Sequence, residues 1–259
     1  MAVLCAAAAR RFRVVAEPLL ENLRAFLGKI AGALGGTAVE RAELSGFLSS
    51  DFDPFLNHLF ASGTVTPRDA AEALEGRPGF VWLAEEPAPG NVGVPEAEQP
   101  QFAVMHLMTA TTMAPTAATQ VDGEIVEVCS PADLDAWHEV YCEVFTKDPR
   151  GRDDWYRVHA ALSPSGDDSL SLLLARIDGS PAATAGVFYE RDVAGLYCFA
   201  TRERMRGRGL ASALVRASHA AARARAIEQA LLQATASGRP VYARAGYRER
   251  RSLPLLFSP

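Results

Sequence analysis

The most constraining feature of the sequence is a short run rich in arginine and glycine, Arg204–Leu210, with the sequence RMRGRGL. It follows an apolar segment, Ala194–Ala200, that is typical of a buried strand. Beyond it, apolar residues recur at helical spacing at Leu210, Ala213, Leu214 and Ala217. The pattern predicts a strand, a tight turn and then the first turn of a helix.

A turn of this kind is suited to an anionic ligand. The first amides of a helix have no partner within the helix, and the helix dipole is positive at that end. Gly207 and Gly209 let the backbone approach a ligand closely. Arg204, Arg206 and Arg208 add positive charge, although they could equally be solvated surface residues. We therefore expect the turn to hold phosphate.

Two common phosphate-binding motifs do not fit this run. A P-loop ends in Gly-Lys-Ser/Thr, and the run contains no lysine. A dinucleotide-binding fingerprint needs a third glycine where this chain has Ser212, and no acidic residue follows about twenty positions later at the end of a second strand. A dinucleotide-dependent oxidoreductase is accordingly the third choice among the alternatives.

The run instead resembles the pyrophosphate-binding signature of the GCN5-related N-acetyltransferases (the GNAT family), Gln/Arg-x-x-Gly-x-Gly/Ala. Arg206-x-x-Gly209-x-Ala211 matches it, and so does a register that starts two residues earlier, at Arg204. We prefer the later register because the helix then begins where the family's helix begins. Downstream, Tyr242-x-x-x-Gly246-Tyr247 resembles the family's Tyr-x-x-x-Gly-Phe block. The resemblance covers about residues 123–259.

The resemblance implies transfer of an acetyl or other acyl group from acyl-coenzyme A to an amine, without a metal. It implies that the end of the central strand binds the pantetheine arm and that the turn binds the pyrophosphate. The implied donor-binding residues are Cys198, Phe199, Ala200, Thr201, Arg204, Arg206, Gly207, Arg208, Gly209, Leu210 and Ala211. Tyr242 matches the family tyrosine that can protonate the departing thiolate, or it only packs beside the donor.

The sequence does not identify a general base clearly. The segment Gly195–Thr201 carries no carboxylate, so we name Glu190, at the end of the preceding predicted strand. Glu203 lies in the phosphate turn, where a second negative charge is unfavourable. His138 and His159 lie on predicted helices, where a single histidine more often packs or faces solvent. A chain of water molecules is the remaining alternative.

Over residues 121–259 the predicted elements follow the order of the family's fold, an α/β (α+β) fold with a mixed, mostly antiparallel sheet flanked by helices. Strands are expected at Gly123–Val128, Ser169–Ile177, Ala182–Glu190 and Ile227–Ala234. Helices are expected after the cap Ser130 and over Asp153–Leu162. We expect this part to be the catalytic domain.

Residues 1–120 are expected to form an N-terminal helix and a degenerate copy of the same fold. The helix should be broken at Pro18 and end at Gly35-Gly36, and a second helix should start at Thr66-Pro67. Strand candidates are Ala42–Phe47, Phe80–Ala84 and Phe102–Thr109, with a loop over Pro87–Pro100. No glycine-rich phosphate turn occurs before residue 194, so only the second copy should bind the donor.

Composition and net charge argue against several other classes of protein. The formal net charge of −5 argues against a general nucleic-acid binder, and no apolar run approaches the ~18 residues that a membrane span needs. The cysteines, at 5, 129, 142 and 198, lack metal-type spacing and are taken as free thiols in a reducing cytoplasm. We expect a cytoplasmic monomer or homodimer that acts on a small-molecule amine. The alternatives are an acyl carrier protein as donor, or a non-catalytic protein that only binds acyl-coenzyme A.

Overall fold

The computed structural model describes residues 18–51, 53–63, 65–83, 101–113, 121, 123–146, 148–162 and 168–258. The helices are α1 (Pro18–Leu34), α2 (Pro67–Ala73), α3 (Pro131–Phe145), α4 (Pro149–Leu162), α5 (Leu210–Ala224) and α6 (Arg239–Arg244). The strands are β1 (Thr37–Glu40), β2 (Leu44–Leu48), β3 (Asn57–Ala61), β4 (Gly79–Trp82), β5 (Gln101–Thr111), β6 (Glu124–Glu127), β7 (Leu170–Ile177), β8 (Ser180–Glu190), β9 (Val193–Thr201), β10 (Gln229–Ala234) and β11 (Arg248–Ser258).

These strands form one sheet in the order β1-β2-β3-β4-β11-β5-β10-β9-β8-β7-β6. Neighbours are antiparallel except for two parallel pairs, β3 with β4 and β9 with β10. Helices pack against the sheet, so the prediction of a mixed, mostly antiparallel sheet flanked by helices is confirmed.

Three of the helices begin or end where local chemistry predicts, and one begins earlier. Thr66 and Asp69 form a capping box at the start of α2, and the Ser130 hydroxyl accepts from the amide of Asp133 at the start of α3. Helix α1 ends at Leu34 and is followed by Gly35 in a left-handed conformation, with φ of 68°. Helix α4 begins at Pro149, four residues before its predicted start.

Other expectations differ from the structure or lie outside its described residues. Strand β1 was not predicted, although it pairs with all but one residue of β2. The expected break at Pro18 involves residues 1–17, and the expected loop over Pro87–Pro100 lies within 84–100; both ranges are outside the described residues.

The last strand of each half of the chain lies next to the other half's strands. β5 pairs with β10, β11 pairs with β4, and β5 and β11 pair with each other in the middle of the sheet. The order of the sheet is therefore similar when it is read from either end, with one parallel pair on each side. Because the strands interleave, both halves share one continuous sheet.

Two layers of helices cover the C-terminal half of the sheet. On the first face, α1, α3 and α4 enclose a core that includes Trp137, Trp155 and Phe188. On the second face, α5 buries Leu210 and Leu214 against small residues of β8. The fully buried Trp137 also donates from Nε1 to the carbonyl of Ala185 at 3.2 Å, which ties α3 to the middle of β8. Among the described residues, none of the helices combines the length and apolar character needed to cross a lipid bilayer.

Candidate functional site

The central feature of the site is a fork between β9 and β10. These strands are paired only from Val193 opposite Gln229 to Gly195 opposite Leu231. Beyond Gly195, within the described residues, β9 pairs only with β8 and β10 pairs only with β5. In the part of the chain that the structure describes, the edge of β9 from Leu196 to Thr201 therefore faces a gap with no strand beside it. An extended ligand that carries amide groups can fill such an edge by pairing with the strand.

A β-bulge lies on β9 beside this gap. Cys198 and Phe199 together stand opposite Ala185 of β8, and Cys198 has a φ of 56°. The hydroxyl of Thr184 donates to the carbonyl of Cys198 at 2.9 Å and fixes the bulge. Tyr197 and Cys198 contact the core of the first face, whereas Phe199 contacts the core of the second face. The bulge thus redirects the strand at the point where the fork opens.

A glycine turn connects β9 to α5. After a single 3₁₀ turn, Glu203–Met205, Gly207 has a φ of 77° and Gly209 has a φ of 79°. Both conformations are left-handed, which strains any residue that has a side chain. A Cβ added at Gly207 would meet nothing within 4 Å, so the dihedral angle rather than lack of space requires glycine there. The sequence-predicted turn is present, and Gly209 is the N-cap of α5.

The turn presents unused hydrogen-bond donors. Among the described residues, the backbone amides of 207–212 donate to no other group of the protein, and no side chain caps α5. Arg204, Arg206 and Arg208 are exposed, and within the described part of the chain none of them pairs with a carboxylate. Arg206 Nε lies 3.4 Å from the carbonyl of Thr201, at the end of β9. Amides at a helix start and nearby cations together favour an anion such as phosphate.

Tyr242 lies on α6, beside the bulge. Its ring centroid is 6.0 Å from that of Phe199 and also 6.0 Å from that of Tyr247. Burial raises the pKa of Tyr242 to about 12, and its hydroxyl has no hydrogen-bond partner among the described residues. Tyr247 is buried, and its hydroxyl lies 2.8 Å from His219 Nε2. The structure therefore brings Tyr242 next to the predicted donor strand.

Glu190 lies at the other end of β9. It pairs with Val193 in the β8–β9 hairpin. Val193 precedes Cys198 by five residues, so the two are about 17 Å apart along β9. Its carboxylate is half-exposed and lies 3.9 Å from Arg191 Nε. The structure does not bring Glu190 to the bulge, so its role as the general base stays a prediction.

The two helical histidines lie on the first face. His159 is 3% exposed, its ring centroid is 4.5 Å from that of Trp137, and its Nδ1 lies 3.2 Å from Nδ1 of His138. Burial lowers the pKa of both histidines. These contacts are those of packing residues. Across the described ranges, no group of three or more His, Cys, Asp and Glu side chains is arranged to hold a metal ion.

A polar contact at the base of the fork was not predicted from the sequence. The hydroxyl of Tyr197 donates to Asn22 Oδ1 at 2.7 Å, and Asn22 Nδ2 donates to the carbonyl of Val193 at 3.4 Å. Asn22 belongs to α1 and is 1% exposed. A polar residue at a buried position of an amphipathic helix was the available signal, but its partner is 175 residues away in the sequence.

Solved structures with this architecture cover most of the chain. A conserved protein of unknown function from Staphylococcus epidermidis is 15% identical, with a TM-score of 0.63, over 87% of this chain and 94% of that one. A GCN5-related N-acetyltransferase from Kribbella flavida is 19% identical, with a TM-score of 0.59, over 91% of this chain and 95% of that one. Another, from Sphaerobacter thermophilus, is 18% identical, with a TM-score of 0.58, over 84% and 81%. Identities this low establish a similar fold and nothing about the substrate.

The sequence itself matches a known family over the part that carries the fork. No curated protein matches the chain. The family described as "Acetyltransferase (GNAT) family" matches residues 134–247. This range runs from within α3 through β9, the glycine turn and Tyr242 to the residue before β11. Residues 134–247 are therefore a domain of the GNAT family.

Proposed function

We propose that the protein transfers an acyl group, acetyl by default, from acyl-coenzyme A to the amine of a small molecule. The observation that carries this proposal is the continuity of two features within the GNAT domain. Among the described residues, the edge of β9 that lacks a partner strand leads through one 3₁₀ turn to the amides of 207–212, which donate to no other group of the protein. One extended ligand that has amide groups at one end and phosphates at the other fits both features.

The donor would lie along this continuous surface. Its pantetheine amides pair with the backbone of Cys198–Thr201, in place of the missing strand. Its pyrophosphate accepts from the amides between Arg206 and Ala211, at the positive end of α5. Arg204, Arg206 and Arg208 offset the phosphate charge. No metal ion takes part in this arrangement.

The reaction is a direct transfer. The amine nitrogen attacks the thioester carbonyl carbon, the carbon–sulfur bond breaks, and the amine nitrogen gives up a proton as the amide forms. Tyr242 donates its phenolic proton to the departing thiolate and is later reprotonated from solvent. Burial raises the pKa of Tyr242 to about 12, so it gives up its proton only to a strongly basic group such as the departing thiolate.

The proton of the amine takes a different route. Val193, opposite Glu190, is about 17 Å along β9 from Cys198, which is too far for Glu190 to touch an amine at the bulge. We infer that Glu190, if it acts as the base, does so only through intervening water. Proton transfer through water is sufficient for an amine that binds in its neutral form, because the positive charge on its nitrogen develops only as the new bond forms.

We propose further that residues 1–120 are a degenerate copy of the catalytic half, residues 121–259. The two parallel pairs, β3 with β4 and β9 with β10, hold equivalent places in the sheet order, and each pair is connected by a helix, α2 or α5. Between β3 and α2 the helix is capped by Thr66 rather than by a glycine turn. We therefore expect a single donor site, in the C-terminal half. A cleft between two such halves suits a compact amine better than an extended protein tail.

A carrier protein is the second candidate for the donor. The three arginines of the turn are exposed and have no carboxylate partner among the described residues, so they would suit the acidic surface of an acyl carrier protein. Such a donor has the phosphopantetheine arm but not the adenosine part of coenzyme A. A protein that binds acyl-coenzyme A without catalysis is the remaining alternative.

The test is an acceptor screen with two donors in parallel. The purified protein is incubated with a panel of small amines and either acetyl-coenzyme A or an acetylated carrier protein, and released thiol and acetylated amine are both measured. We expect an acetylated product with acetyl-coenzyme A for at least one amine. Turnover with the carrier alone would reassign the donor. Binding of acetyl-coenzyme A without product across the panel would favour the non-catalytic alternative.

A further inference from the structure

The base of the fork is closed by a helix from the N-terminal half. Gly195 is the last residue of β9 that pairs with β10, and α1 crosses the strand at this point. A Cβ added at Gly195 would lie 2.1 Å from Asn22 Oδ1 and 2.4 Å from Cε2 of Tyr197. Glycine therefore permits both side chains to sit directly against the strand, at the place where the two strands begin to part.

Tyr197 is held rigidly in this place. It is 8% exposed, its ring stacks on Phe26 with centroids 4.1 Å apart, and its hydroxyl proton is committed to Asn22 Oδ1. Asn22 is fixed in turn by its bond to the carbonyl of Val193. The end of the fork is therefore a packed wall and does not open by rotation of a single side chain.

Gln233 faces Tyr197 from the other strand. In the parallel register Leu231 stands opposite Gly195, so Gln233, two residues later, is level with Tyr197. Its neighbours Ala230, Leu232 and Ala234 contact the core of the second face, so Gln233 points to the first face, as Tyr197 does. Burial raises the pKa of Tyr197, whereas the nearby Gln233 amide lowers it.

The Gln233 amide lacks a partner that it needs. Its Nε2 is buried and lies near the Tyr197 hydroxyl, but it makes no well-formed hydrogen bond to any group among the described residues. The orientation of the amide is settled by Tyr197, whose proton already goes to Asn22, so the tyrosine oxygen can face only the amide nitrogen. That nitrogen carries two N–H groups and the tyrosine oxygen can take at most one of them, so at least one N–H has no acceptor among the described residues. A buried donor without an acceptor is costly, and a ligand carbonyl at this point would satisfy it.

We propose that Tyr197, Asn22 and Gln233 form the closed end of the donor site and restrict the transferred acyl group to two or three carbon atoms. This inference rests on the proposed function. A donor that enters at the glycine turn and follows β9 runs from Thr201 toward Gly195, so its acyl end arrives at this wall. The thioester oxygen accepts from Gln233 Nε2. A longer alkyl chain has to displace the amide or lie against polar groups that it cannot pair with.

The test compares binding of coenzyme A and its acetyl, butyryl and hexanoyl thioesters by calorimetry. The wild type should bind the acetyl thioester at least tenfold more tightly than the hexanoyl thioester. Gln233→Ala should shift the ratio of butyryl to acetyl affinity by about tenfold or more toward butyryl, because each newly buried methylene is worth roughly fourfold in affinity. Gln229→Ala is the matched control, since Gln229 is exposed on the same strand where β10 is still paired with β9, and it should leave the ratio unchanged.

Asn22 acts through Tyr197 and is a positioning residue. Asn22→Ala should relax the same ratio in the same direction, whereas a loss of stability alone lowers affinity for all four ligands alike. Equal binding of the acetyl and hexanoyl thioesters by the wild type, or an unchanged ratio in Gln233→Ala, would overturn the inference while leaving the donor site intact. Failure of coenzyme A itself to bind would overturn the proposed donor site and this inference with it.

Discussion

At the scale of single residues, Tyr242 carries the proposed chemistry. A phenol is normally a weak acid, and burial raises the pKa of Tyr242 further, to about 12. It can therefore protonate only a strongly basic group, and a buried thiolate is one. Its hydroxyl has no partner among the described residues to hold the proton back. This combination supports a proton donor that acts only after the carbon–sulfur bond breaks.

Tyr242→Phe should lower kcat by about a hundredfold, within the usual contribution of a positioned acid, and leave KM for acetyl-coenzyme A nearly unchanged. The measurement is steady-state kinetics with an amine found in the acceptor screen. Tyr156→Phe is the control, because Tyr156 is exposed on α4 and its hydroxyl, among the described residues, donates only to Asp135 of α3. Undiminished turnover in Tyr242→Phe would assign the residue to packing alone.

Sequence predicted some site residues and missed others for a physical reason. Local sequence predicts Gly207, Gly209 and the arginines beside them, because a strand, a turn and the start of a helix are determined by neighbouring residues. The roles of Asn22 and Gln233 cannot be predicted in this way, because they depend on contacts between segments far apart in the chain. Glu190 was named by position along the sequence, and the β8–β9 hairpin places it away from the bulge.

At the scale of elements, the glycine turn determines how β9 is joined to α5. Two left-handed glycines reverse the chain within a few residues, so the amides that follow point outward from the helix start. The strand, turn and helix were predicted from the sequence and are confirmed. The fork beside them was not predictable from the pattern of β9, since it depends on β10 leaving to pair with β5.

Gly207→Ala tests the turn against a matched glycine. Gly207 and Gly179 have φ values of 77° and 72°, and a Cβ at either position meets nothing within 4 Å. Both substitutions to alanine should therefore cost a similar roughly 1–2 kcal/mol of stability. Only Gly207→Ala should also weaken binding of coenzyme A, because Gly179 lies in the β7–β8 hairpin. Equal affinity of the two variants for coenzyme A, measured by calorimetry, would show that the glycine turn does not bind this ligand.

At the scale of the whole molecule, the interleaved strands join the two halves. β5 completes the sheet beside β10, and β11 completes it beside β4. The sequence predicted strands near β4 and β5 but could not show which edges they join, because pairing between distant strands leaves no local pattern. For the same reason the boundary that we place between residues 120 and 121 divides the sequence more sharply than it divides the sheet.

Unfolding should therefore be a single transition. Trp82 lies in the N-terminal half, and Trp137 and Trp155 lie in the C-terminal half. One variant that keeps only Trp82 and another that keeps only Trp155 are unfolded in urea, and fluorescence is compared with far-ultraviolet circular dichroism within each variant. Coincident midpoints are expected in both. An earlier loss of either fluorescence signal would show that the halves unfold separately.

The most direct measurement of the central claim is the thermal stability of the protein with coenzyme A, acetyl-coenzyme A and NAD in parallel. A ligand at a hundred times its Kd stabilises the folded state by about 2.7 kcal/mol. For a chain of this size we expect coenzyme A and acetyl-coenzyme A to raise Tm by about 5–10 °C, and NAD to leave it unchanged. No shift with either form of coenzyme A, or an equal shift with NAD, would contradict the assignment of the fork and its glycine turn to an acyl-coenzyme A donor.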